Sequence, residues 1–249
     1  MTGAVTYGIH PVRLLLERSP QRVRRLWLAS SKTHGRIDEL RELARRHEIE
    51  VLPADDATLE RLSDAGRHQG AVAEVEFRAG DPETALELAL ESAPGPPLLL
   101  VLDGVQDPHN LGACLRTADA AGANAVIAPR DRAAGITPIV RKVAAGAAET
   151  LPFIAVVNLA RTMRDLKTRG VWIVGTADGS TRSIYDVDLT GPIALVLGAE
   201  AEGLRRLTRE HCDELVSLPM AGVVESLNVS VAAGVALYEA VRQRQKKAR

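Results

Sequence analysis

The sequence predicts an α/β protein in two parts, the larger and C-terminal one built on a parallel sheet flanked by helices. Three observations lead there. From Leu98 onward, short apolar runs alternate with helical patterns, the arrangement of βα repeats. Several of those runs have no polar interruption, as strands covered on both faces require. Aromatic residues are only 3% of the 249-residue chain, so Ala, Val and Leu supply the core, which suits helices and buried strands better than an antiparallel sandwich.

In the N-terminal part, Val12 to Leu16 form one face of a helix after Pro11, and residues 23–28 read as a strand. Helical spacing follows at Ile37, Leu40, Arg41 and Ala44, then strands at 49–52 and 71–75. This is a small α/β domain, residues 1–78. A break at Gly80-Asp81-Pro82, a helix over 83–91 and the run Pro94-Gly95-Pro96-Pro97 mark a linker over 79–97. The second domain covers 98–249. Its strands are expected at 98–102, 125–128, 153–157, 171–174, 193–197 and 215–218, and its helices at 111–121, 159–169, 204–211 and 226–245.

Composition narrows the function. The net charge is −1, so any contact with nucleic acid must come from local patches. One candidate is the first fifty residues, where ten Lys/Arg face six Asp/Glu, including Arg22, Arg24, Arg25, Lys32 and Arg36. The other is the tail from Arg242 to Arg249. Cys114 and Cys212 are far apart with no CxxC, which suggests neither a disulfide framework nor a zinc site. No apolar run approaches the ~20 residues of a membrane span, and the chain reads as cytoplasmic.

In open parallel sheets, ligands bind at the carboxyl ends of the strands. The loops expected there are 103–110, 175–179, 198–203 and 219–222, glycine-bearing and sparsely polar. No GxGxxG follows the first strand and no GxxxxGK[ST] occurs, which disfavours dinucleotide dehydrogenases, P-loop NTPases and ordinary Rossmann methyltransferases.

Three segments carry a more specific signal. They are Asp107-Pro108-His109-Asn110-Leu111-Gly112-Ala113-Cys114-Leu115-Arg116-Thr117-Ala118-Asp119, then Leu195-Val196-Leu197-Gly198-Ala199-Glu200-Ala201-Glu202-Gly203-Leu204, and finally Leu218-Pro219-Met220-Ala221-Gly222 with Ser226-Leu227-Asn228-Val229-Ser230-Val231-Ala232. In this order they resemble the three motifs of the SpoU/TrmH family of ribose 2′-O-methyltransferases in the SPOUT superfamily. Tyr7-Gly8-Ile9-His10 and His68-Gln69-Gly70 extend the likeness over nearly the whole chain.

The resemblance implies a C-terminal SPOUT α/β knot, a deep trefoil in which the last helix threads a loop, and an N-terminal L30e-like domain that binds RNA. It implies S-adenosyl-L-methionine as cofactor and 2′-O-methylation of a guanosine ribose in the peptidyl-transferase P loop of 23S rRNA. The partners implied are 23S rRNA or a pre-50S particle and a second copy in a homodimer, with no membrane and no DNA. Two alternatives stand beside it: a tRNA ribose 2′-O-methyltransferase, and a non-catalytic RNA-binding or ribosome-assembly factor.

By match to the motifs, Asn110, Arg116, Glu200, Ser226 and Asn228 form the catalytic set. Asn110 is also a natural N-cap for the helix after it. Arg116, a cation with pKa above ~12, suits holding phosphate or stabilising a developing alkoxide. Glu200 would orient the hydroxyl, directly or through Asn110, and Ser226 and Asn228 would open the last helix. Backbone groups around Thr176, Gly198, Leu218 and Leu227 would hold the cofactor, and no metal is implied. Position 201 departs from the family pattern, with Ala where glycine is usual. If that backbone has positive φ, the change costs on the order of 1 kcal/mol.

Replacing Arg116 by Ala is expected to abolish methyl transfer while leaving the fold intact. A labelled-methyl assay on RNA checks this, and near-normal turnover would remove Arg116 from the set.

Overall fold

A computed structural model describes residues 4–18, 20–30, 35–63, 68–75, 82–199 and 203–247. The chain divides into two compact units, one of Met1–Ala79 with Ile136–Thr150, the other of Gly80–Gly135 with Leu151–Arg249.

The first unit runs β1 (Ala4–Tyr7), α1 (Ile9–Arg18), β2 (Val23–Ala29), α2 (Gly35–Arg46), β3 (Glu50–Ala54), α3 (Asp56–Leu62) and β4 (Ala71–Val75). Its sheet has the order β1-β4-β2-β3, with β2 and β3 parallel and β4 antiparallel to both neighbours. Side chains alternate across it, as the two-residue period of a strand demands. Leu26, Leu28, Ala71, Ala73 and Val75 pack with α1 and α2 through Val12, Leu15, Leu16, Ile37 and Leu40. Ala29 and Val72 face the other way, toward Leu59 of α3.

The second unit opens with α4 (Pro82–Glu91), β5 (Leu98–Asp103), α5 (Pro108–Ala120) and β6 (Ala125–Pro129). The chain then joins the first unit as α6 (Pro138–Ala144) and α7 (Ala147–Thr150). It returns as β7 (Phe153–Val156), α8 (Leu159–Thr168), β8 (Trp172–Thr176), β9 (Ile193–Gly198), α9 (Arg206–His211), β10 (Glu214–Val216) and α10 (Val229–Lys247). The six strands form one sheet in the order β10-β8-β9-β5-β6-β7, every adjacent pair parallel. The expected α/β class and parallel sheet are therefore present. Every residue of β5 is buried, the burial an unbroken apolar run calls for.

Several expectations are revised. The helix expected within the linker is present as α4 but belongs to the second unit, where its Leu86 and Ala89 join the same apolar cluster as Ile154, Val156 and Met163. Residues 136–150 leave the domain that the sequence assigns them to. Their anchor is a buried ion pair between Arg141 and Glu149, joined by Thr6, which donates to Glu149 at 2.7 Å and accepts from Arg141 at 3.1 Å. That same carboxylate revises the Arg22–Arg36 patch. Arg22 donates to the Glu149 carbonyl at 3.3 Å and its guanidinium lies 3.9 Å from the Glu149 carboxylate. Arg25 sits between Glu50 and Glu74 on the flanking strands, at 3.4 and 3.9 Å. These two cations are engaged within the unit, whereas Lys32 lies outside the described residues.

The last helix is secured at its far end. Arg244 donates to the carbonyls of Pro96, Pro97, Leu189 and Gly191 at 2.7–3.2 Å, so one guanidinium ties α10 to the entries of β5 and β9. Its partial burial lowers its pKa.

Glu149→Ala is expected to lower stability by about 3–5 kcal/mol, because it strands a buried guanidinium. The double change Glu149→Leu with Arg141→Met should cost much less. Chemical unfolding of both proteins checks the difference.

Candidate active site

The carboxyl ends of β5, β8, β9 and β10 surround two adjoining clefts. The first is lined by Thr176, Gly198, Leu218, Ser226 and Leu227, with Asp178, Met220 and Glu225. All four residues expected to hold the cofactor thus line one space, together with Ser226. The second is lined by Asp103, Gly104, Gln106, Asn110 and Arg205. Ala199, Gly203 and Val229 line both.

Gly198 shows why this geometry needs its sequence. Gly203 has φ +62°, a left-handed value that favours glycine, and its N–H donates to the Ala199 carbonyl at 2.8 Å. The chain thereby folds back onto the end of β9. A Cβ on Gly198 would overlap the carbonyl of Gly203 and the nitrogen of Leu204. Glycine is required there by the returning backbone, whatever the cleft holds. Glu200 and Ala201, inside that turn, lie outside the described residues.

The two expected asparagines meet. α5 begins three residues earlier than its apolar pattern indicates, because Asp107 caps it by accepting from the His109 N–H at 2.9 Å and Pro108 occupies the first turn. Asn110 is therefore not the cap. Its Oδ1 accepts from Asn228 Nδ2 at 2.9 Å. Asn228 in turn caps α10, with Oδ1 accepting from the N–H and hydroxyl of Ser230 at 2.9 and 2.6 Å. Residues 118 positions apart are joined where the two helices begin.

Arg116 does not join them. Six residues along a helix is about 240° of rotation and about 9 Å of rise. That turns its side chain away from Leu111, Cys114 and Leu115, which are buried, and leaves it exposed. It lines neither cleft.

Sequence reading misses Asp103 and Arg205. Asp103 ends an otherwise apolar strand and is buried. One carboxylate oxygen accepts from the Arg205 backbone N–H at 2.8 Å, and the other lies 3.6 Å from the Arg205 guanidinium. A lone acid closing an apolar run is the signal that could have found it. Cys212 is no nucleophile at neutral pH, since burial pushes its thiol up to about 12 and it donates to the Thr208 carbonyl.

A parallel sheet with paired clefts at its carboxyl end is the architecture of an α/β enzyme. The chain belongs to the SpoU rRNA Methylase family, which residues 97–238 match. Residues 5–79 match the domain described as RNA 2′-O ribose methyltransferase substrate binding. Among similar proteins is the 23S rRNA (guanosine-2′-O-)-methyltransferase RlmB of Pseudomonas putida, 56% identical over 97% of both chains. Among solved structures, the SpoU methyltransferase AviRb from Streptomyces viridochromogenes in complex with AdoMet is 30% identical, with a TM-score of 0.81 over 97% of this chain and 90% of that one. The A. aeolicus TrmH/SpoU tRNA modifying enzyme is 31% identical with a TM-score of 0.57, over 67% of this chain and 85% of its own.

Asn228→Ala removes a helix cap and should lower stability by about 1 kcal/mol, whereas Asn110→Ala should lower it far less. Both are expected to reduce methyl transfer. Thermal unfolding of the pair separates the roles, and equal destabilisation would make the amide contact purely structural.

Proposed function

We propose that this chain methylates the 2′-hydroxyl of a guanosine in the peptidyl-transferase P loop of 23S rRNA, using S-adenosyl-L-methionine. The likeness to RlmB, 56% identity across 97% of both chains, carries the reaction, the RNA and the guanosine, and the P loop is what a resemblance over nearly the whole chain implies.

The first cleft fits the cofactor. Leu197, Val216, Met220 and Leu227 offer apolar surface for an adenine. Ser226, Asp178 and Glu225 offer acceptors for ribose hydroxyls and an ammonium group. Backbone groups of Thr176, Gly198, Leu218 and Leu227 would fix its orientation. When bound, the cofactor supplies an electrophilic sulfonium methyl.

The protein's task is then to place a poor nucleophile in line with that methyl and to ease loss of its proton. Asn228 holds the Asn110 amide in one orientation, so that Asn110 meets the acceptor ribose in the second cleft. Ser226 adds a hydroxyl from the first cleft, Glu200 keeps the role that the motif match implies, and Arg116, on the exposed flank of α5, would hold an RNA phosphate.

On this reading, the first unit binds RNA through residues 1–78, and the second unit, 80–135 with 151–249, catalyses, with α10 as the helix that threads the knot. The enzyme would act in the cytoplasm as a homodimer, on free 23S rRNA or a pre-50S particle. Val231 and Tyr238, seven residues apart on α10 and each 50% exposed, are a stripe suited to a second copy. Among the described residues no helix is long and apolar enough to cross a membrane. A tRNA substrate has less support, since the tRNA-modifying relative covers 67% of this chain, against 97% for RlmB.

The test is labelled-methyl transfer by purified protein on unmodified 23S rRNA and on bulk tRNA, with mapping of the product. Label on one P-loop guanosine 2′-oxygen is expected. Label on tRNA would keep the chemistry and change the substrate. Absence of label together with absence of cofactor binding would leave an RNA-binding factor.

A further inference from the structure

We propose that Arg205 is an RNA-phosphate contact in the second cleft, and that buried Asp103 is the positioning residue that aims it. The inference rests on the methyltransferase reading above and adds to it two residues that lie outside the expected catalytic and cofactor sets.

Four observations support it. Asp103 is 1% exposed and lines the cleft. Its Oδ2 holds the Arg205 backbone N–H at 2.8 Å, while its Oδ1 accepts no hydrogen bond among the described residues. Arginine–carboxylate pairs are frequently bidentate. Here the guanidinium stops at 3.6 Å, so the main chain, not the side chain, makes the close structural contact.

The guanidinium itself lies across Gly104, which has φ +84° and whose Cβ, were there one, would be 3.1 Å from Arg205 Nη2. Any other residue at 104 would be strained and would crowd it. Its one hydrogen bond among the described residues is long, 3.4 Å to the carbonyl of Arg132. A guanidinium carries five donors in a planar fork. Most of them are therefore available in a side chain that remains 37% exposed.

Available donors on a cation whose backbone is anchored call for an oxyanion. The two sources in this reaction are an RNA phosphate and the carboxylate of the cofactor. Position favours RNA. Arg205 shares its cleft with Asn110 and Gln106, whereas Thr176, Leu218 and Leu227 line the other one. The Asp107 carboxylate in the same cleft is engaged at the α5 N-terminus, whose dipole also favours an anion there.

The test uses the full chain with Arg205→Gln, Arg205→Lys and Asp103→Asn. Binding of an unmodified 23S rRNA transcript is measured across salt concentrations, beside S-adenosylmethionine affinity, thermal unfolding and methyl-transfer kinetics. Arg205→Gln should weaken RNA binding roughly tenfold and flatten the slope of log affinity against log salt by roughly 0.7–0.9, the value of one phosphate contact. Cofactor affinity should be unchanged. Arg205→Lys should restore the slope but only part of the affinity, because a point charge replaces the fork. Asp103→Asn should raise KM for RNA without changing the slope, since the cation remains but is no longer aimed.

An unaltered RNA affinity and slope in Arg205→Gln would overturn the proposal. So would a fall in cofactor affinity with RNA binding intact, which would assign the guanidinium to the cofactor carboxylate. If the unaltered protein binds 23S rRNA but transfers no methyl, the enzymatic reading fails while the Arg205 comparison still stands. If it binds no RNA, both fall.

Discussion

Asp103 and Gly198 are paired in register at the last rung of the central β5–β9 ladder, and most of the site is built outward from that rung. Asp103 anchors the Arg205 backbone, and Gly198 accepts the returning backbone at Gly203 without a side chain in the way. The chain after β9 is thereby held at two points, at the boundary where one cleft meets the other. Parallel strands leave their carboxyl ends open because each crossover departs from there. Here the opening is closed in part by the chain's own return, which divides one crevice into two.

The second support is the contact between α5 and α10. Leu111, Cys114, Leu115 and Ala118 on one helix are buried, as are Val229, Ala233, Ala236 and Leu237 on the other. That packing brings together the two helix starts on which Asn110 and Asn228 meet. At the opposite end, Arg244 holds α10 to the entries of the two central strands. A helix with both ends tied is a stiff wall for the clefts, and stiffness is what alignment for an in-line transfer requires. The first unit has its own device, the buried Arg141–Glu149 pair. It recruits a segment that lies between two strands of the other unit in sequence, so the division into units is not a single cut in the chain.

Much of the fold is legible in the order of the amino acids. The unbroken apolar runs at 98–102 and 193–197 announce doubly covered strands, and the spacing of Ile37, Leu40 and Ala44 announces α2. Short or weakly patterned elements are not legible in this way. α6 and α7 have seven and four residues, too few for a helical period to register. The apolar pattern starts α5 late because the cap is a carboxylate before a proline, and Asn110 has the same capping chemistry. Arg22 and Arg25 resemble a free basic patch in sequence since their acidic partners are distant along the chain or on neighbouring strands.

The α/β class, the chain order of the longer strands and helices, and the residues of the three motifs follow from the sequence without further help. Those are local properties, set by apolar periodicity and by which side chains stand next to which along the chain. Only the folded chain decides that Thr176, Gly198, Leu218, Ser226 and Leu227 line one cleft, that Asn110 bonds Asn228, and that Arg205 stands over Asp103 and Gly104. Each of these joins positions from different crossovers, and their meeting depends on how the strands order themselves in the sheet, which no local pattern encodes.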